Sequence, residues 1–526
     1  MNDLNPVVST GQGSLQGSWD GRVASFLGVP FAAAPVGDLR FAAPQPHARW
    51  QGIRPATAFG PAAPQPPANP DKPVDAMQLL TGSPSLAQAE DNCLTLNIWT
   101  PGLTGSPRAV LVWIHGSGWL SGASAWPGYH GQNLAAAEDI VVVTANYRLG
   151  PLGFLRVPGV AEGNMGFLDV VAALRWVREN IADFGGDPDR VTVAGQSGGA
   201  VTSVALLTSP SASGLFRRVF AQSGPIGIPM PSPAEAEQTG AEYMNVLGLT
   251  PATAHRLRDL PAEQLVTGYQ QLVAGGGRRR IGAPAPPMHP IAGGPGLPTP
   301  VLSALADGAG SGIDVLLGAT AEEMNPFLAI DPSAAAITRE AVLQILERLA
   351  PGPAGGDVYD HYADRRPGAT PSQVLADITT DRLVRLPALQ VAEARARHGH
   401  PGYVYQVDWR SPGLGACHTV DIPLLLDNLP AWSASPMFRS VDPVTVEPIG
   451  STFRRAVAAF VRTGNPNTQG VPMWEAYTPA DRLTMCFDTL TIALGDPARG
   501  ERRLLPAPIQ DLAGQPEAPQ ADDAGR

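Results

Sequence analysis

The chain has 526 residues, 44% hydrophobic content and a formal net charge of −11. That is ample for a large buried core and too acidic to offer the basic stripe that nucleic acids or anionic membranes require. No apolar run approaches the roughly 20 residues that cross a bilayer, the first residues lack a signal-peptide pattern, and the three cysteines (Cys93, Cys417, Cys486) cannot all pair. A cytoplasmic protein is expected, monomeric or weakly self-associating, with no nucleic-acid or membrane partner.

Residues 1–60 alternate short apolar runs with turns, as an antiparallel opening meander would. A loop rich in Pro and Ala follows over 61–76. Residues 94–100 and 109–114 read as strands, the second nearly all apolar as a central strand should be, and 140–145 repeats that character. Over 166–184, Leu168, Val171, Leu174, Val177, Ile181 and Phe184 recur every three or four residues, which predicts a helix. The β-branched run 191–194 then predicts another strand. Alternation of this kind argues for an α/β class: a mostly parallel twisted sheet with helices on both faces. From 228 to 300 the pattern becomes helical and loop-rich, read as cap material over the sheet, and its one basic run, Arg278-Arg279-Arg280, as a solvated loop. Residues 313–317 and 403–407 are further strands, and 453–462 is a helix ended by Gly464 and Pro466. Residues 1–505 are expected to form one domain, with a disordered tail over 506–526.

The chemistry centres on Val191-Thr-Val-Ala-Gly195-Gln-Ser197-Gly-Gly199-Ala200. A strand, then Gly-x-Ser-x-Gly, then a small-residue helix is the layout of a nucleophile elbow, in which a tight turn lifts a serine hydroxyl out of the sheet. With 58 glycines in the chain the motif alone is weak; a base, an acid and an oxyanion site must accompany it. One oxyanion donor is expected at Gly198. The others are expected where the strand 109–114 runs into His115-Gly116-Ser117-Gly118-Trp119.

At this point the chain resembles the type-B carboxylesterase family, which includes the para-nitrobenzyl esterases and cholinesterases. Residues 26–32 (Phe-Leu-Gly-Val-Pro-Phe-Ala), 35–41, 90–101, 146–154, 184–188 and 463–467 carry the resemblance, which covers nearly the whole chain. It implies the α/β-hydrolase fold and no cofactor; no metal-binding or phosphate-loop spacing competes. His418, after Gly415-Ala416-Cys417, matches the family's catalytic base. Strand 313–317 leads into Gly318-Ala-Thr-Ala-Glu322-Glu323, where the resemblance makes Glu323 the acid and leaves Glu322 its main competitor. The backbone N–H groups of Ser117, Gly118 and Gly198 would form the oxyanion hole, and His115 would brace its loop. Arg40 and Glu90 occupy positions that pair in the family, and Ser223 would sit behind the triad.

The departures are specific. Ser117 stands where the family has glycine and Trp119 where it often has Phe, so a Ser117 side chain could narrow the oxyanion region. Gln196 and Gly199 stand in the elbow where the family usually has Glu and Ala. The position that would pair with Cys93 in the family's disulfide is Ala63. The expected function is a serine carboxylesterase acting on a small-molecule ester; the same triad acting on carbamates, amides or aromatic xenobiotic esters is a close alternative, and a catalytically silent interaction protein a distant one.

Overall fold

The computed structural model describes residues 5–67, 80, 85–275, 285–349 and 355–505. An eleven-stranded sheet organises them. In chain order its strands are β1 (Ser18–Trp19), β2 (Ala24–Pro30), β3 (Thr95–Thr100), β4 (Arg108–Ile114), β5 (Val141–Ala145), β6 (Gly186–Gln196), β7 (Arg218–Gln222), β8 (Asp314–Thr320), β9 (Tyr403–Val407), β10 (Leu483–Phe487) and β11 (Ile492–Gly495). Their spatial order is β1-β2-β3-β5-β4-β6-β7-β8-β9-β10-β11. From β5 to β10 every pairing is parallel; the pairings at the two margins are antiparallel.

The central strands are continuous apolar runs because helices cover both faces. In β4 every residue after Arg108 is buried, and β5 is buried throughout. The register sets Gly195 opposite Ile114 and Gln196 opposite Gln222, so the chain leaves β4, β6 and β7 side by side. Because β8 and β9 run the same way, everything that follows these strands collects along one edge of the sheet, the edge where open α/β sheets bind ligands.

Several elements differ from expectation in extent. The helix foreseen over 166–184 is an α-helix, Met165–Asn180, tightened into a 3-10 turn, Ile181–Phe184, before Gly185 reverses the chain. The helix foreseen over 453–462 begins ten residues earlier and spans Pro443–Thr463, with Asp442 capping it and Pro448 inside its first turns. The opening meander is only partly antiparallel: Val7–Ser9 and Ser14–Gln16 are, but Ile53–Pro55 joins in parallel. Strands β10 and β11 and the helices between 325 and 397 were not foreseen.

The cap region contains the helices Pro233–Val246 and Ala262–Gly275. Ser232 and Glu235 close a reciprocal capping box on the first. Tyr243 of one helix donates to the Leu265 carbonyl of the other at 2.6 Å, and both side chains lie in the hydrophobic core that also contains Val110 and Val193 of the sheet. The basic run 278–280 and the tail 506–526 lie outside the described residues.

Candidate active site

At the end of β6 the backbone turns at Ser197 with φ +57° and ψ −125°, a conformation non-glycine residues seldom adopt. The helix Gly198–Leu206 starts at once, and Ser197 N–H donates to the Gln222 carbonyl of β7 at 3.0 Å. Strand and helix pass so close that a Cβ at Gly195 would lie 2.5 Å from the Gly199 carbonyl carbon. One at Gly199 would lie 2.1 Å from the Ile114 carbonyl oxygen. This overturns the placing of an alanine-tolerant position at Gly199. If any glycine beside the serine can yield to alanine it is Gly198, whose Cβ would meet the Trp119 ring at 3.2 Å.

Facing the elbow is the loop after β4. Ser117, Gly118 and Trp119 all have positive φ, at 74°, 60° and 57°, which coils the loop so that backbone rather than side chains approaches the serine. Neither Ser117 N–H nor Gly118 N–H donates to another group among the described residues. The Gly198 Cβ position is 3.5 Å from Gly118 N, and that of Gly116 is 3.0 Å from Ser197 Cβ. These approaches set the Gly116–Gly118 backbone against the Ser197 turn. The Ser117 hydroxyl is buried beside that of Tyr129, which gives the side chain a place other than the oxyanion region. Trp119 lies over Gly198 and donates its indole N–H to Thr202 Oγ1 at 3.0 Å.

His115 is buried and stacked on Tyr147, with ring centroids 4.4 Å apart, while Tyr147 donates to the His115 carbonyl at 2.9 Å. Burial pushes its imidazole down to about 4, so it is a neutral brace for the loop. His289 braces the other side of Trp119. It stacks on the indole at 5.8 Å and contacts the Pro286 and Pro229 carbonyls at 2.8 and 3.0 Å.

Glu323 and His418 arrive on separate elements. The turn after β8 folds back so that Thr320 N–H donates to Glu323 Oε1 at 2.6 Å, which fixes the carboxylate. His418 Nδ1 donates to the other oxygen at 2.6 Å, and both side chains are buried. Since Nδ1 faces a carboxylate, the neutral ring carries its proton there and leaves Nε2 as the acceptor. Nε2 accepts from the Gln196 side-chain amide at 2.9 Å. Ser197, by contrast, makes no hydrogen bond to His418 among the described residues.

Glu322 is resolved from its neighbour. Its N–H donates to the Ala416 carbonyl at 2.8 Å, its Oε2 accepts from Ala416 N–H at 2.9 Å, and Arg366 and Arg410 lie 3.2 and 3.4 Å from the carboxylate. It ties down the loop bearing His418 and makes no hydrogen bond to the imidazole among the described residues. Gly415 permits this: at φ +72°, its Cβ would fall 2.1 Å from Glu322 Oε2.

Beside Glu323 and His418 lies a group that sequence reasoning missed. Asp421 is fully buried, and its Oδ2 accepts from Gln222 Nε2 and the Tyr405 hydroxyl, both at 2.9 Å. Burial first, then the Glu323 charge, pushes its carboxyl up to about 6. The available signal was an acid three residues after the base. Ser223, beside the elbow at φ +52°, is buried with its hydroxyl unpartnered.

The expected Arg40–Glu90 ion pair is present, with Arg40 Nε donating to Glu90 Oε1 at 2.6 Å. All three cysteines are free and buried; at Cys417, burial and then Glu323 push the thiol well above its ordinary range. Among the described residues no cluster of three His, Cys, Asp or Glu could hold a metal ion, and no helix is long and apolar enough to cross a membrane.

Comparison with known proteins gives the family and the fold. The profile of the carboxylesterase family matches residues 4–495. The chain is 36% identical over 480 residues to phenmedipham hydrolase of Pseudarthrobacter oxydans, covering 90% of this chain and 94% of that protein. It is 34% identical over 513 residues to para-nitrobenzyl esterase of Bacillus subtilis, covering 95% and 98%. Among solved structures, a Geobacillus stearothermophilus carboxylesterase superposes with a TM-score of 0.84 at 35% identity, covering 95% of this chain and all of that one. The fold is that of these carboxylesterases, a large, mostly parallel α/β-hydrolase sheet with helices. The chain belongs to the carboxylesterase family and is a carboxylic ester hydrolase.

Proposed function

We propose that the protein hydrolyses a small-molecule carboxylic ester through an acyl-enzyme on Ser197, with His418 as base and Glu323 as acid. The observation that carries this is the buried 2.6 Å bond from His418 Nδ1 to Glu323 at the mouth of a strained Ser197 turn. Glu323 fixes the tautomer and stabilises the imidazolium as His418 Nε2 takes the Ser197 proton. Ser197 Oγ bonds to the ester carbonyl carbon, and the oxygen left negative is held by the N–H groups of Ser117, Gly118 and Gly198. His418 returns the proton to the departing alcohol. Water then attacks the acyl-enzyme by the same route, and the acid leaves.

The close approach of the Gly116–Gly118 backbone to the Ser197 turn supports this reading. The one adjustment is at His418 Nε2, which must accept from Ser197. Ser197→Ala is expected to lower kcat on para-nitrophenyl acetate by about 10⁴-fold or more and to abolish labelling by a fluorophosphonate probe. A variant that keeps near-wild-type turnover would defeat the assignment.

A further inference from the structure

We infer that Gln196 is a latch on the catalytic base: in the free enzyme its side-chain amide occupies the nitrogen that must accept the Ser197 proton, and substrate binding has to release it. The inference rests on the reading of Ser197 and His418 given above. Three observations point to it. The Gln196 amide nitrogen lies 2.9 Å from His418 Nε2. The hydroxyl of Ser197, the next residue, makes no hydrogen bond to His418 among the described residues, so the acceptor is committed to the amide and not to the nucleophile. Among the described residues the buried Gln196 oxygen has no hydrogen-bond partner, and it lies close to Gly116, so that a Cβ there would lie 3.0 Å away.

The amide has two faces, and this gives the latch its chemistry. A neutral imidazole bonded to Glu323 through Nδ1 presents a lone pair at Nε2, and the Gln196 N–H satisfies it. Once Nε2 has taken the serine proton it is a donor, and the amide nitrogen has nothing to accept with. The Gln196 bond therefore stabilises the base only in its unreacted form, and stabilisation confined to the ground state slows the chemical step. The orphaned oxygen is the complementary half, able to accept from the imidazolium after a rotation of the amide.

The other charged or titratable groups around His418 are fixed by the same fold. They are Glu323 on Nδ1, Asp421 with Tyr405 behind it, Cys417 adjacent, and Glu322 with Arg366 and Arg410 on the far side of the loop. None donates to Nε2. The Phe327 ring, 5.3 Å from the imidazole, closes one side without polar atoms.

The test compares Gln196→Met, which keeps the length of the side chain without a donor, and Gln196→Glu, which replaces the donor by an acceptor. The readout is the second-order rate of Ser197 labelling by a fluorophosphonate across pH, alongside kcat/KM on para-nitrophenyl acetate. Removing one neutral hydrogen bond from the ground state should raise the plateau rate of Gln196→Met about two- to tenfold. The acidic limb of the profile should move to higher pH, because nothing then favours the unprotonated ring at Nε2. In Gln196→Glu the limb should move further in the same direction.

An unchanged or lower plateau in Gln196→Met, or a limb that stays in place, would overturn the latch. A side chain that merely packs would not move the limb. If Gln196→Met does not fold, the limb of Gln196→Glu carries the test alone, and an unmoved limb there is equally fatal. Failure of wild-type Ser197 to label at all would remove the triad assignment and the latch with it; normal labelling with identical profiles removes the latch only.

Discussion

The two halves of the site are built by different physics. Around Ser197 the structure is held by shape: the turn exists because Gly195 and Gly199 leave no room for a side chain between strand, helix and the β4 carbonyls. Around His418 it is held by polar groups. Glu322 grips the backbone at Ala416, Glu323 orients the ring, and Asp421 collects Gln222 and Tyr405 behind them. A steric device is local and tolerates no added atom. A polar device gathers residues from four separate segments, and its members can be changed one atom at a time.

The harshest way to probe the comparison is on the steric side. Gly195→Ala places a carbon 2.5 Å from backbone that cannot move without dismantling the elbow. A loss of about 3 kcal/mol or more is expected, at the upper end for overpacking, with thermal stability and Ser197 labelling falling together. If the variant melts like the wild type and labels normally, shape is not what holds this half.

On the polar side, Glu323→Gln should separate activity from stability. The amide keeps the side chain's volume and its acceptor for Thr320 N–H. Its nitrogen, placed where Oε2 was, drives the ring proton to Nε2, the wrong tautomer for a base. A fall in kcat/KM of about 10³- to 10⁴-fold is expected, with a melting temperature within a few degrees of wild type. A collapse of the fold would mean that this carboxylate is a structural keystone and that the two halves are alike.

This division also explains what the sequence made legible. The Ser197 turn and the loop after β4 are each contiguous in sequence, so Gly195, Ser197, Gly198 and the run from His115 to Trp119 could be read from spacing, β4 and β5 from their apolar runs and the end of β6 from its β-branched run. Glu323 could be separated from Glu322 only by a resemblance, because two adjacent carboxylates look identical until the backbone bond from Glu322 to Ala416 turns one away. Tyr405 and Gln222 left no pattern, and Asp421 only its place three residues after His418: they meet because β7, β9 and the helix that begins at Asp421 lie together. Strands β10 and β11 were missed for a related reason. They lie at the sheet margin, and β11 leaves Ile492 and Leu494 exposed, so neither shows the central strands' long apolar signature.

Glu322→Gln tests a milder form of the polar half. It keeps an acceptor for Ala416 N–H while removing the charge shared with Arg366 and Arg410, both partly solvent-exposed. Such pairs contribute about 1 kcal/mol or less. A fall in kcat/KM of about fivefold or less is expected, the equivalent of that energy, with a small drop in melting temperature. A fall as large as that of Glu323→Gln would place Glu322 in the chemistry and reverse the assignment.

A pH-dependent probe of the polar half lies at Asp421, where burial carries a penalty of its own. Its carboxyl is raised from 3.8 to about 6, chiefly by burial. A raised value means that the folded protein holds this proton more tightly than the unfolded chain does. The contribution of Asp421 to stability is therefore greatest below the unfolded value and is lost as pH climbs from about 4 to about 6. Two pH units bound the loss at about 3 kcal/mol. Asp421→Asn retains an oxygen for Gln222 and Tyr405 but never ionises, so its denaturation midpoint should lie closest to wild type at pH 4.5 and exceed it at pH 8. Equal differences at both pH values would show that the buried carboxylate is fully compensated where it sits. A gain confined to pH 8 would instead mean that the fold accepts a buried charge beside Glu323 and His418 that steric construction, of the kind seen at the Ser197 turn, does not require.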